Sequence, residues 1–209
     1  GGPGAPGSAE PGEQPFAEAL IEAAAAAQRA VIEHTASDTR NAASCTFAAA
    51  VLDGDRVHWA SLGDSRVYLL GDGTGVQLST DHSVAEELIR AGLPRAEAES
   101  SRQAHAITRW LGRDSENPTP DTGVYPLTLG GWLLVCSDGL WNYASEPAAL
   151  ARRLRAASEA SDEPVKVAAE LVKWANAQGG KDNVTVALAR PDANLNGTPQ
   201  ASSDESEKD

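Results

Sequence analysis

The sequence lacks methionine altogether and contains only two cysteines among its 209 residues. Because methionine is missing even at position 1, we expect further sequence to precede Gly1 in the translated protein. Two cysteines at positions 45 and 136 are too few for a disulfide framework and too far apart for a zinc-ligand pattern. Both lie in apolar, strand-like stretches. We therefore expect Cys45 and Cys136 to be buried free thiols of a cytoplasmic protein.

Long apolar runs and positive charge are also scarce. No stretch approaches the roughly 18 consecutive apolar residues of a transmembrane helix, so we expect no membrane span. The net charge is −13 and the isoelectric point is about 4.7, which disfavours nucleic acid and anionic membranes as partners. Hydrophobic residues make up 41% of the chain, enough for one substantial core rather than two.

Composition divides the chain into three regions. Residues 1–15 are rich in Gly and Pro and are typical of a linker or long loop. Residues 16–190 contain the periodic apolar patterns of a single domain. Residues 191–209 form an acidic, polar tail that we expect to be disordered, because it has almost nothing to bury.

The apolar periodicity of the domain predicts helices around a set of strands. A helix is predicted over residues 16–34, and strands follow with turns at Asp53-Gly54 and Asp72-Gly73. A helical surface flap at about 82–114 precedes two strands, two helices and a last strand. Strands adjacent in sequence favour antiparallel pairing, so the prediction is an α+β fold with sheets covered by helices.

Three short acidic turns lie beside predicted strands: GDSR (63–66), SDG (137–139) and GGKDN (179–183). Taken singly, each is typical of an ordinary turn, since Asp beside Gly or Asn is common there. Together they suggest convergent carboxylates, because short Asp side chains suit hard cations that prefer oxygen ligands. A metal held in this way would be Mg²⁺ or Mn²⁺.

The order and spacing of four motifs resemble those of the metal-dependent type 2C (PPM) serine/threonine protein phosphatases, particularly the bacterial ones. The motifs are LGDSRVYLL, LSTDHS, LLVCSDGLWNY and GGKDNVTVALA, and the similarity extends over residues 43–189. The resemblance implies an α-β-β-α sandwich of two antiparallel sheets, each covered by a pair of helices. It also implies a binuclear Mg²⁺ or Mn²⁺ centre that hydrolyses phosphoserine and phosphothreonine with a metal-activated water.

The resemblance assigns residue roles where the motifs match. Asp138 and Asp182 correspond to metal ligands, and Asp64 corresponds to an aspartate that shares a third, weaker metal with Asp138. Ser137, Gly139 and Asn183 correspond to groups that support the ligands. We expect the remaining motif and flap residues to be structural: Arg66 as an ion-pair partner, His82 as an exposed loop residue, His105 and Trp110 as flap anchors, and Trp132 and Trp141 as core aromatics.

The chain departs from the family pattern at its beginning. Family members start with a segment that carries a phosphate-binding arginine, a metal-bridging aspartate and a histidine proposed as general acid, and residues 1–44 contain none of these motifs. We therefore expect the catalytic residues in a preceding segment. On this interpretation the isolated chain binds Mn²⁺ weakly and is poorly active.

Two functions stay open at this stage. The first is the C-terminal portion of a phosphatase that acts on phosphoproteins and opposes a serine/threonine kinase. Its further partner would be the missing segment or a fused module. The second is a non-catalytic binding or regulatory module of the same fold. Retention of Asp64, Asp138 and Asp182 favours the first, because a binding module has little need for three metal ligands.

Overall fold

The computed structural model describes residues 14–35, 42–127 and 131–191. The predicted linker and acidic tail fall almost entirely outside these ranges, so those two predictions stay untested. The helices are α1 Gln14–Glu33, α2 Val84–Arg90, α3 Arg95–Glu99, α4 Asp138–Trp141, α5 Pro147–Ser158 and α6 Pro164–Ala177. The strands are β1 Ser44–Cys45, β2 Phe47–Asp53, β3 Arg56–Leu62, β4 Arg66–Leu70, β5 Gly75–Gln77, β6 Leu111–Gly112, β7 Asp121–Pro126, β8 Trp132–Cys136 and β9 Val186–Ala189.

The strands build two main antiparallel sheets. One has the order β2-β3-β7 and the other β5-β4-β8-β9, while β1 and β6 form a separate ladder. Helix α1 packs on the first sheet, α5 and α6 pack on the second, and the two sheets contact each other. The predicted α+β sandwich is therefore confirmed. In the part of the chain that the structure describes, α1 alone covers the first sheet, where the resemblance implied a pair.

The main core lies between the four-stranded sheet and helices α5 and α6. Trp132, Leu134 and Cys136 of β8 face these helices, whereas Leu133 packs in the smaller core of the other face. Both faces of β8 are covered, which explains why its sequence is apolar throughout instead of alternating. Packing on both faces holds β8 in place, and β8 leads directly into Ser137 and Asp138.

The predicted hairpin turns are confirmed. Gly54 and Gly73 have φ values of 54° and 73°, a left-handed conformation that glycine adopts without a steric penalty. The paired glycines after α6 end that helix as expected. None of the helices in the described ranges is long and apolar enough to cross a membrane.

One cysteine prediction is wrong. Cys136 is buried, but Cys45 is exposed, and both are free thiols. Cys45 lies in the two-residue strand β1, which pairs only with β6 and belongs to neither main sheet. A ladder this short has no second layer to cover its side chains.

The segment after β5 forms one wall of a cleft. Its first helix, α2, begins after Ser83, whose Oγ accepts a hydrogen bond from the backbone N–H of Glu86 (3.3 Å). Ala85, Ala98 and Ala104 of this segment are buried. The flap is therefore anchored by small apolar side chains, although most of its surface is polar.

Candidate metal centre

The sheet register brings the three acidic turns to one edge. In β4 and β8, Arg66 is paired with Cys136, and in β8 and β9, Cys136 is paired with Val186. The turn before β4, the turn after β8 and the loop before β9 therefore lie side by side. They face a cleft of about 530 Å³, closed on its far side by the flap. Its lining includes Asp64, Asp81, Glu86, Glu99, His105, Asp138, Tyr143, Lys181 and Asp182.

Asp64 lies in the tight connection between β3 and β4. The preceding Gly63 has φ +96°, and a Cβ at that position would lie 2.5 Å from Cγ2 of Thr46, so only glycine fits. Asp64 is 7% exposed. Burial, reinforced by the charges of Asp138 and Asp81, raises its pKa to about 6. A positive charge added nearby would therefore stabilise the ionised form of this carboxylate.

Asp138 is the first residue of a helical turn and not part of a simple loop. Ser137 occupies the N-cap position, and α4 follows at once. Burial and the charge of Asp182 raise the pKa of Asp138. Its Oδ2 accepts a long hydrogen bond from Nδ2 of Asn142 (3.4 Å). Placement at the start of α4 aims the carboxylate into the cleft, where it interacts with both other aspartates.

Asp182 is exposed and lies on the loop between α6 and β9. Its Oδ1 accepts a hydrogen bond from the backbone N–H of Asn183 (2.7 Å). Among the described residues, the structure thus brings all three predicted ligands to one cleft. Asp64 is deeply placed and Asp182 lies at the rim.

Ser137 connects the Asp138 turn to the Asp182 loop. Its Oγ donates to the carbonyl oxygen of Asn183 (3.3 Å) and accepts from the backbone N–H of Thr185 (3.0 Å). The contribution of Asn183 seen here is therefore through its backbone, while the role predicted for its side chain stays a prediction. This pair of hydrogen bonds ties the start of α4 to the loop that carries Asp182.

Gly139 permits close packing and does not close a loop turn. The SDG motif was predicted as a short turn, but Gly139 lies inside α4 and its φ is not positive. A Cβ there would lie 2.2 Å from the carbonyl oxygen of Asn183. The missing side chain therefore permits close packing of α4 against the loop that carries Asp182.

The donor chemistry of the cleft fits a hard divalent cation. Carboxylate oxygens are the ligands that Mg²⁺ and Mn²⁺ prefer, and the mutual repulsion of Asp64, Asp138 and Asp182 would be relieved by a cation. Across residues 14–35, 42–127 and 131–191, no group of three or more His, Cys, Asp or Glu side chains is arranged so that it could hold a metal ion. A full coordination shell thus needs further ligands, such as water or backbone carbonyls.

Comparison with known proteins identifies the family of this fold and cleft. Residues 8–184 match the family model described as protein phosphatase 2C. The chain belongs to the protein phosphatase 2C family. The resemblance seen in the four motifs is therefore confirmed.

Two bacterial phosphatases illustrate the sequence similarity of this phosphatase 2C chain to curated relatives. Protein phosphatase PhpP of Streptococcus pneumoniae is 40% identical over 141 residues, covering 66% of this chain and 54% of the relative. Serine/threonine phosphatase stp of Listeria welshimeri is 35% identical over 151 residues, covering 71% and 57%. The chain therefore spans little more than half the length of these curated relatives.

Solved structures agree with the fold. The serine/threonine phosphatase of S. agalactiae superposes with a TM-score of 0.70 at 34% identity, covering 87% of this chain and 72% of that one. The Mycobacterium tuberculosis serine/threonine phosphatase PstP/Ppp gives 0.66 at 26% identity, covering 88% and 84%. The similarity in fold covers more than four fifths of this chain in both cases.

Arg66 has the structural role predicted for it in this phosphatase 2C domain. It is 2% exposed, and its Nη2 donates to Oδ2 of Asp81 (2.7 Å), while Nε contacts both oxygens of that carboxylate. The guanidinium lies 3.5 Å from the ring centroid of Trp141. Trp141 in turn donates from Nε1 to the carbonyl oxygen of Asp64 (2.9 Å). The ion pair therefore supports the backbone of a predicted ligand.

The prediction for His82 is wrong. His82 is 6% exposed instead of lying on the surface. Its Nδ1 is 3.1 Å from the backbone nitrogen of Gly63, and its Nε2 is 3.1 Å from Oδ2 of Asp121. Arg109 donates from Nη1 to Oδ1 of the same aspartate (2.8 Å). A polar group of this kind tolerates burial because both ring nitrogens have partners.

The remaining aromatic and flap residues behave largely as expected. Trp132 and Trp141 are 7% and 5% exposed and belong to the core. In the flap, Trp110 donates from Nε1 to Asp114 (3.0 Å), four residues further along the same segment, so its role as an anchor stays a prediction. His105 is exposed and lines the cleft. This position was not expected of a residue that only anchors the flap.

Proposed function

We propose that this chain is the metal-binding portion of a protein serine/threonine phosphatase. Its substrates would be phosphoserine and phosphothreonine in proteins, and its cofactors two Mg²⁺ or Mn²⁺ ions, with a third bound more weakly. The observation that carries the proposal is the meeting of Asp64, Asp138 and Asp182 at one cleft. Membership of the family, and relatives named as serine/threonine phosphatases, support it.

Bound divalent cations supply an activated water and neutralise the phosphoryl oxygens in such a reaction. The chain's own contribution is to hold carboxylates in fixed positions. Asp138 and Asp182 would hold one cation, and Asp138 would share another with Asp64. Ser137 and Gly139 would help to hold the first pair together, because they pack α4 against the loop before β9.

The complete activity would need residues beyond those that line this cleft. The curated relatives are almost twice as long as the matched region, and the described residues contain no complete metal site. We therefore expect the 209-residue chain to bind Mn²⁺ weakly and to hydrolyse phosphate esters poorly. A protein extended by the sequence upstream of Gly1 should be active.

Phosphate release from a phosphothreonine peptide tests the proposal. The extended protein should release phosphate with Mn²⁺ and lose this activity in EDTA. Asp138→Asn should reduce the activity by at least a hundredfold, while Asp162→Asn serves as the control, because Asp162 is exposed and pairs with Arg190 away from the cleft. Equal activity of both variants would overturn the assignment of Asp138.

A non-catalytic binding or regulatory module is the second candidate. The absence of a complete ligand group in the described ranges favours it. Such a module would bind Mn²⁺ or a phosphopeptide without turnover, even when the upstream sequence is present. The same assay therefore separates the two functions.

We further propose that the protein opposes a serine/threonine kinase in the cytoplasm. Removal of phosphate from serine and threonine reverses the reaction of such a kinase, and two free cysteines suit a reducing compartment. Thiol titration of the protein recovered from cells tests the location, because a reducing compartment leaves both cysteines unmodified.

A further inference from the structure

His82 contacts the residue directly before Asp64 through two hydrogen bonds. The backbone N–H of Gly63 points at Nδ1 of the imidazole (3.1 Å), and the backbone N–H of His82 donates to the carbonyl oxygen of Gly63 (2.9 Å). Both polar groups of the Gly63 backbone are thereby held by one residue, which lies 19 positions later in the chain.

The imidazole is itself held from its other side. A backbone N–H can only donate, so Nδ1 must accept and the ring proton lies on Nε2. Nε2 then donates to Oδ2 of Asp121 (3.1 Å). Nη1 of Arg109 packs beside the same ring nitrogen and donates its hydrogen bond to the other oxygen of Asp121 (2.8 Å). The ring is therefore fixed between β7, the end of the flap and the Gly63 turn.

Gly63 depends on such external support because it has no side chain of its own to pack. Its φ of +96° is left-handed and a Cβ there would meet Thr46, and glycine is the residue with the most backbone freedom. On the C-terminal side of Asp64, its own carbonyl oxygen accepts a hydrogen bond from Trp141. The two contacts fix the peptide groups before and after the Asp64 side chain.

We propose that His82 is a positioning residue that sets the place of the Asp64 carboxylate in the cleft. The proposal rests on the proposed function, because it takes Asp64 as a metal ligand. It assigns His82 no contact with substrate or cation. Its effect passes through one hydrogen bond, from the Gly63 backbone to Nδ1, and this bond can be removed separately from the Asp121 contact.

Two substitutions to amide side chains distinguish the contacts of the two ring nitrogens of His82. In His82→Asn, Oδ1 takes the place of Nδ1 and still accepts from Gly63, whereas the Asp121 contact is lost. In His82→Gln, Nε2 takes the place of the ring Nε2 and still donates to Asp121, whereas the acceptor for Gly63 is lost. The two variants thus differ in which contact survives, and both remove the ring.

The experiment is a Mn²⁺ titration of the 209-residue chain, followed by the electron paramagnetic resonance of free Mn²⁺. His82→Gln should weaken the Asp64-dependent binding by about two- to tenfold, the range expected for one lost hydrogen bond. His82→Asn should bind as the wild type does. In an Asp64→Asn background, His82→Gln should cause no further loss, because the ligand on which it acts is gone.

The outcomes distinguish failure of the inference from failure of the proposed function. Mn²⁺ binding that is unchanged in Asp64→Asn, or absent in the wild type, overturns the ligand assignment and the inference together. If Asp64→Asn weakens Mn²⁺ binding but the two His82 variants bind Mn²⁺ equally well, the inference alone is overturned. Thermal unfolding in EDTA identifies a variant that fails to fold. If His82→Gln is unfolded, His82→Leu replaces it, because leucine also lacks the acceptor for Gly63, and wild-type Mn²⁺ affinity in that variant contradicts the proposal.

Discussion

Replacing Gly139 by alanine tests the packing that joins two predicted metal ligands. The added Cβ would lie 2.2 Å from the carbonyl oxygen of Asn183, whereas ordinary contacts are about 3.5 Å. The loop that carries Asp182 must therefore move away from α4 by roughly 1 Å. Metal–ligand distances tolerate only about 0.2 Å, so the displacement separates Asp138 and Asp182 by more than a cation accepts.

The magnitudes favour a larger effect on metal binding than on stability. Alanine is better than glycine in a helix by about 1 kcal/mol, and overpacking costs about 1–3 kcal/mol, so Gly139→Ala should lose about 1 kcal/mol of unfolding free energy. Disturbing the groups that orient ligands reduces metal affinity by about 10–100-fold. We expect at least a tenfold loss of Mn²⁺ affinity by calorimetric titration.

Gly54→Ala is the matched control for this experiment. Gly54 has φ +54° and open space around it, so alanine costs about 1–2 kcal/mol through backbone strain alone. It lies in the β2–β3 turn, outside the cleft lining, and should leave Mn²⁺ binding unchanged. Wild-type affinity in Gly139→Ala, or equal losses in both variants, would refute the packing argument.

Three further predictions concern the same cleft. Ser137→Ala should weaken Mn²⁺ binding with a stability loss of under about 1 kcal/mol, since water replaces its exposed hydrogen bonds; calorimetry and urea unfolding check this, and unchanged affinity would contradict it. Trp141→Phe should cost about 1–3 kcal/mol in urea unfolding, because the buried carbonyl of Asp64 loses its donor; an unchanged midpoint would contradict it. In EDTA, Asp64 has a pKa of about 6 in the folded protein instead of 3.8, so folding favours its protonated form. The protein should therefore be more stable below pH 4 than at higher pH. About 2 kcal/mol should be lost between pH 4 and 6, and about 3 kcal/mol in total by pH 8; urea unfolding of Asp64→Asn should lack this loss.

Much of the fold could be predicted because its signals are local. Continuous apolar runs identify strands such as β8, which is covered on both faces, and Ser83 marks the start of α2. The convergence of Asp64, Asp138 and Asp182 could also be anticipated, because short acidic turns at strand ends meet when the strands pair. The resemblance to the phosphatase family added the order of those turns.

The features that were missed depend on partners distant in sequence. His82 is buried by Asp121, 39 positions away, and by Arg109, 27 positions away. No local periodicity distinguishes such a histidine from an exposed loop residue. The role of Gly139 is similar, since its constraint comes from the carbonyl oxygen of Asn183 and not from its own backbone conformation. Cys45 was misjudged because an apolar run does not reveal that its strand lies outside both main sheets.

The central claim is that Asp64, Asp138 and Asp182 together hold divalent cations. The most direct measurement is anomalous X-ray diffraction at the manganese edge from crystals of the chain soaked in Mn²⁺. The account predicts anomalous peaks within the cleft, one between Asp138 and Asp182 and a weaker one between Asp138 and Asp64. Peaks confined to other surfaces, or none at a saturating Mn²⁺ concentration, would contradict it.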